Sequence, residues 1–292
     1  MQKHTTAVVQ ALLAASLLLA PGLTAQGGST GPETFSAIQE EFEAANKDWM
    51  TSYREASKSG ASKDEMSKLM AARPNAKDYV ARVRAIVRAD ASSDDAGAAA
   101  AWLISRGRVT GADLGFALDV LGEHHMGGAH VQSVMGVLSR NPGPAVTVFL
   151  AKVAAGAEGD DLAMALMTSA EQLKSAAGTA RTLAAGSDED LERYAGFYGA
   201  EAVDVLRAAD ADALEQRAAK LFDRLVADEA LSAVAYRRKT VGEAAASALF
   251  ELRHLTIGKV APDIVGEDLD GTPMKLSDYR GKVVVLDFWG DW

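Results

Sequence analysis

The sequence of 292 residues contains no cysteine. That excludes disulfide stapling, so the fold must be held by packed apolar surface. It also excludes a lipid-modified cysteine at a processed N-terminus. Proline is scarce: there are 7, and none lies between Pro144 and Pro262, so no ring interrupts a helix in that Ala-rich interval. Basic residues are outnumbered, with 30 Lys and Arg against 40 Asp and Glu and a net charge of -10. A nucleic-acid backbone or an anionic membrane surface would be repelled by that balance. What remains is a globular composition, 48% hydrophobic and 24% charged, long enough for one large or two ordinary domains.

Residues 1–25 have the pattern of an export signal. Lys3 supplies the positive flank, Ala7–Ala20 the apolar core, and Pro21–Ala25 a helix break with a small residue before the cut. The apolar core is too short to span a bilayer. The expectation is therefore export to the periplasm or the exterior, with cleavage before Gln26, a net charge of -11 after loss of Lys3, and no membrane span thereafter.

Residues 26–31 form a Gly/Ser/Thr linker, and residues 32–257 read as one α-helical domain. Phe35, Ile38, Phe42, Trp49 and Tyr53 fall on one face of a helix running to Lys58. Ser62 and Glu65 form a capping box that opens a second helix, stopped before Pro74. Further helices are predicted from 77, 94, 113, 129 and 145; their segments begin about every 17 residues, the spacing of stacked antiparallel hairpins. Beyond Pro144 the predicted helices are 145–155, 161–177, 188–208, 211–226, 229–239 and 241–254, with Ser187 and Asp210 as caps. No repeat consensus is legible, so the fold class is mainly α, an irregular array of antiparallel helices.

The C-terminal stretch 258–292 has a different grammar. Asp270-Gly271 marks a tight turn between two short runs, predicting a hairpin over 264–276. Ser277–Gly281 makes a polar turn, and Val283–Phe288 is a β-branched run suited to a buried central strand. The order AP(D), DLDG, (K)LSDYRGKVVVLDFW resembles the opening of thioredoxin-fold thiol-disulfide oxidoreductases of the TlpA type, within the redoxin group. The resemblance covers about an eighth of the chain. It implies that 258–292 supplies the first hairpin and first central strand of a thioredoxin-like α/β domain. It implies also a W-C-x-x-C pair at the mouth of a helix, where the helix dipole lowers the thiol pKa. Trp292 stands where the family's pre-cysteine tryptophan stands, which places the working pair outside this sequence. Partners by resemblance are protein or small-molecule disulfides and thiols. Peroxidases of the redoxin group carry a proline and a threonine before their cysteine; Trp289-Gly290-Asp291-Trp292 has neither, which favours the thioredoxin-like branch.

Elsewhere the residues carry no chemistry that their structural roles do not explain better. Glu123, His124, His125 and His130 cluster in LGEHHMGGAH, yet adjacent histidines on a helix diverge by about 100°. Asp160-Asp161 and Asp188-Glu189-Asp190 stand at helix starts, where negative charge is stabilised anyway. Arg237-Arg238-Lys239 reads as a solvated helix end, and Gly107, Gly111 and Gly115 do not follow a strand. No catalytic, cofactor-binding or metal residue is assigned, and no cofactor is expected. A second reading makes the helical array a binding or scaffolding module for a protein partner, with the redoxin segment appended.

Overall fold

The computed structural model describes residues 33–256 and 259–290; the expected export signal (1–25), the expected 26–31 linker, Pro32, Ile257-Gly258 and the last two residues lie outside that range. The fold is mainly α, as the periodicity predicted.

The first helix, α1 (Phe35–Lys58), begins where the Thr34 hydroxyl accepts from the Ala37 amide, and buries Phe35 and Ile38. The capping box forms at Ser62 and opens α2 (Lys63–Ala71). The Trp49 indole donates to the Leu69 carbonyl at 2.7 Å and ties the two helices together. A 3-10 turn (Ala76–Tyr79) leads into α3 (Val80–Ala89), where Val83 and Val87 face inward. Next comes α4 (Asp94–Ser105), capped by Ser93 and buried over most of its circumference. A helix apolar all round belongs in the middle of a core, and Ala99, Ala100, Leu103 and Ile104 stand at the centre of the first one.

Helices α5 (Gly111–His124), α6 (Ala129–Leu138) and α7 (Pro144–Gly156) follow at the predicted spacing. Each packs against the helix two before or after it: α4 touches α6, and α5 touches α7. That next-nearest contact is what an array of stacked hairpins requires.

The longest helix, α8 (Gly159–Ala185), has 27 residues, and at 1.5 Å per residue it is about 40 Å long. It runs past the predicted end at Ala177 because Gly178 meets no neighbouring atom and costs it only propensity. It joins the cores. Ala165 belongs to the first; Ala163, Leu166, Met167, Ala170 and Leu173 belong to the second; Ala176 and Leu183 face a small third cluster. Gln172 is fully buried on it and fully occupied: its carbonyl accepts from the Thr147 hydroxyl at 3.1 Å and its amide donates to the Asn141 carbonyl at 3.2 Å.

Two predicted helices are corrected. The span 188–208 is two helices, α9 (Asp188–Tyr198) and α10 (Ala200–Arg207), because Gly199 takes φ 89°, a conformation glycine reaches without strain. The span 229–239 is not a helix. It is one turn, α12 (Glu229–Ser232), followed by a hairpin of β1 (Ala235–Tyr236) and β2 (Lys239–Thr240). Around it stand α11 (Ala211–Ala227), capped by Asp210, and α13 (Val241–His254), opened by a Thr240–Glu243 capping box. These two helices close the second core on α8 with Phe222, Leu225, Val241 and Leu249.

Among the described residues no helix is long and apolar enough to cross a membrane.

Candidate functional site

The C-terminal segment forms the predicted hairpin. Strands β3 (Val265–Glu267) and β4 (Pro273–Lys275) pair antiparallel, with Val265 opposite Lys275 and Glu267 opposite Pro273. Gly271 takes φ 77° in the turn, and the Asp268 carboxylate accepts from the amides of Asp270 (2.9 Å) and Thr272 (2.8 Å). The Asp263 carboxylate accepts from the Ser277 amide and hydroxyl, both at 2.8 Å. Those Ser277 bonds hold the Asp263 carboxyl below its ordinary range and stitch the AP(D) motif to the LSDY turn, a 3-10 helix over Leu276–Tyr279. The shared motif residues thus have an architectural job: they shape a hairpin that hands the chain to Val283.

From there the expected strand is not formed. Val283–Phe288 joins no ladder among the described residues, and Val283 and Val285 are 98% and 88% exposed. A strand exists only with a neighbour to take its amides and carbonyls, and the helices offer it none.

The histidine cluster is structural packing around a glycine. The His125 Nε2 donates to the Ala91 carbonyl and the His130 Nε2 to Asp94 Oδ1, both at 2.9 Å. The two rings close over Gly97 of α4: a Cβ there would lie 2.5 Å from His130 and 2.8 Å from His125. No group of three or more His, Asp or Glu side chains suited to a metal occurs among the described residues. Asp190 completes a capping box with Ser187, and Asp161 accepts from the Gln132 amide at 2.8 Å.

A cleft lies elsewhere, where α8, α11, α13 and the β1–β2 hairpin meet. It is an open cleft of about 770 Å³, and its floor is apolar, formed by Met167, Phe222, Ala244 and Ala248. Its rim is cationic: Arg140, Lys174, Arg237, Arg238 and Lys239 all line it. Arg237-Arg238-Lys239, read from sequence as a helix end, is instead the two-residue loop of the hairpin and the first residue of β2. Arg237 takes φ 57° there. Glycine is preferred at the first position of such a loop, and a side chain there costs on the order of 1–3 kcal/mol. Its guanidinium lies 5.2 Å from the centre of the Tyr236 ring.

Within the cleft the Tyr236 hydroxyl donates to Glu171 Oε1 at 2.9 Å. Burial first, then the Glu171 charge and this bond, push the phenol up to about 12, so it stays a neutral donor. Lys174 is spoken for by Glu251 at 2.5 Å, whereas Arg140, Arg237, Arg238 and Lys239 make no ion pair among the described residues. Sequence reasoning saw the basic run but not the cleft, because Glu171 and Tyr236 are 65 positions apart.

Comparison with known proteins gives one kind of match, over a short stretch. No family model matches the chain, and no solved structure matches it. Curated proteins do match over a short stretch. The thiol-disulfide oxidoreductase ResA of Geobacillus thermodenitrificans is 53% identical over 38 residues, 13% of this chain and 22% of that protein. ResA of Geobacillus kaustophilus is 55% identical over the same length and shares, and ResA of Bacillus anthracis 50%. A stretch of this chain is therefore similar to thioredoxin-like oxidoreductases. The chain spans 22% of the length of the curated relatives it matches.

Proposed function

We propose that this chain is part of an exported thiol-disulfide oxidoreductase of the thioredoxin-like type, with the helical residues 32–257 preceding a redox domain that opens at 258. The similarity to ResA, about half the positions over 38 residues, carries the reading. The unpartnered run Val283–Phe288 supports it, since the family lays that run in the middle of a sheet. The chemistry belongs to a cysteine pair. One thiolate attacks a disulfide sulfur and expels the other sulfur as thiolate; the second cysteine then resolves the mixed disulfide. With no cysteine of its own, this chain has no attacking sulfur and is redox-inactive as it stands.

The test is to read the codons that follow Trp292 in the source gene. A C-x-x-C within the next few positions is expected, and a reading frame without cysteine there overturns the assignment. Two measurements accompany it. The present chain should not accelerate dithiothreitol-driven insulin reduction above buffer, and protein recovered from an exporting host should begin at Gln26.

The helical array favours a second, compatible reading. Because α4 touches α6 and α5 touches α7, the helices form a layered surface of the kind that holds partner proteins. Specific partners should then be retained by a chain lacking residues from 258 onward, and losing them with that deletion would remove the scaffold reading.

A further inference from the structure

We propose that the cleft between α8, α11, α13 and the β1–β2 hairpin binds a small organic anion carrying at least two negative charges beside an apolar moiety. The inference is independent of the redox reading, and four observations carry it. Arg140, Arg237, Arg238 and Lys239 converge on one cleft without carboxylate partners among the described residues, although the chain as a whole has a net charge of -10. Acidic residues are abundant, yet among the described residues Glu171 is the one carboxylate that lines this cleft, against four cations without an ion-pair partner. The floor is apolar, and the volume of about 770 Å³ falls within the roughly 300–1,000 Å³ of small-molecule sites. Finally, Arg237 is held on the rim in a backbone conformation that glycine would adopt at no cost. The arginine is there at the expense of stability, with its guanidinium 5.2 Å from the Tyr236 ring centre.

Size selects the ligand class. A long polyanion would reach beyond the cleft and meet the acidic remainder of the surface. A small one feels mainly the local cations, because charges more than about 10 Å away are screened at ordinary salt. Guanidinium forks suit phosphate and carboxylate oxygens, and the half-buried Ala244 and Ala248, backed by the buried Met167 and Phe222, offer a small apolar surface to an aromatic or aliphatic body.

Calorimetric titration of the full chain with 1-naphthyl phosphate, and with pyrophosphate as a charge-only probe, tests the proposal. One molecule of 1-naphthyl phosphate should bind per chain, more tightly than pyrophosphate, and binding should weaken as salt is raised. R140E and R238E should each weaken it by about tenfold or more, whereas R54E, on the remote α1, should leave it unchanged. R237G separates binding from folding: it relieves the backbone, so the melting temperature should hold or rise while affinity falls. Absence of saturable binding, or equal weakening by R54E and the cleft variants, would overturn the proposal.

Discussion

Leu225 and Leu269 are the same side chain in two surroundings. The first is fully buried on α11 between α8 and α13; the second stands wholly in solvent on the turn of the β3–β4 hairpin. The contrast holds for the regions they belong to. Every long helix from α3 to α13 except α9 buries at least two side chains, and α8 threads the cores into one body. Between 259 and 290 no residue is buried, and the hairpin is held by main-chain pairing and the Asp263 and Asp268 carboxylates. Local hydrogen bonding is enough to shape a hairpin. It is not enough to make a strand of Val283–Phe288, which needs a neighbour.

Truncating these two leucines is the strongest way to break the contrast. Leu225→Ala should destabilise the protein by about 2–5 kcal/mol in denaturant titration through the lost contacts and the cavity left behind. Leu269→Ala should move it by less than about 0.5 kcal/mol, and comparable losses at both sites would mean that the segment packs on the helices. Next in size is Gln172→Ala, which leaves the Thr147 hydroxyl and the Asn141 carbonyl without their partner and should cost about 1–3 kcal/mol. Smaller again is the Glu41–Arg82 pair, 2.7 Å apart on the exposed face of α1 and α3. The Arg82 hydrogen bond holds the Glu41 carboxyl below its ordinary 4.5. Its contribution is therefore fully present above that value and lost as pH falls through the lower folded value. Wild type should exceed Arg82→Met in melting temperature at pH 7 by an amount worth under about 1 kcal/mol, since water screens the pair, and the gap should narrow as pH is lowered below 4.5.

Sequence made much of this arrangement legible where a local signal decided the outcome. The Ser62–Glu65 box, the caps at Ser187 and Asp210, the starts at 94 and 129 and the Asp270-Gly271 hairpin all stand where their residues put them. The failures have a common physical origin. At Gly199 the apolar periodicity continues on both sides, and only the backbone angle breaks the helix. Over 233–239 good helix formers are overridden: β1 and β2 pair through a loop with no glycine, while α12 ends close against Gly242 of α13. A Cβ on Gly242 would meet the Ser232 hydroxyl at 1.8 Å, a contact no window around either residue reveals. The cleft was hidden for the same reason, because its walls come from segments far apart in the chain.

The division between a self-sufficient helical body and a segment without a partner is tested most directly by amide hydrogen exchange on the monomer, read by mass spectrometry. Peptides from α8 around Leu166–Leu173 should stay protected up to the limit set by global unfolding, while peptides covering Val283–Phe288 should exchange at nearly the unfolded rate. Equal protection of the two in the monomer would contradict the account.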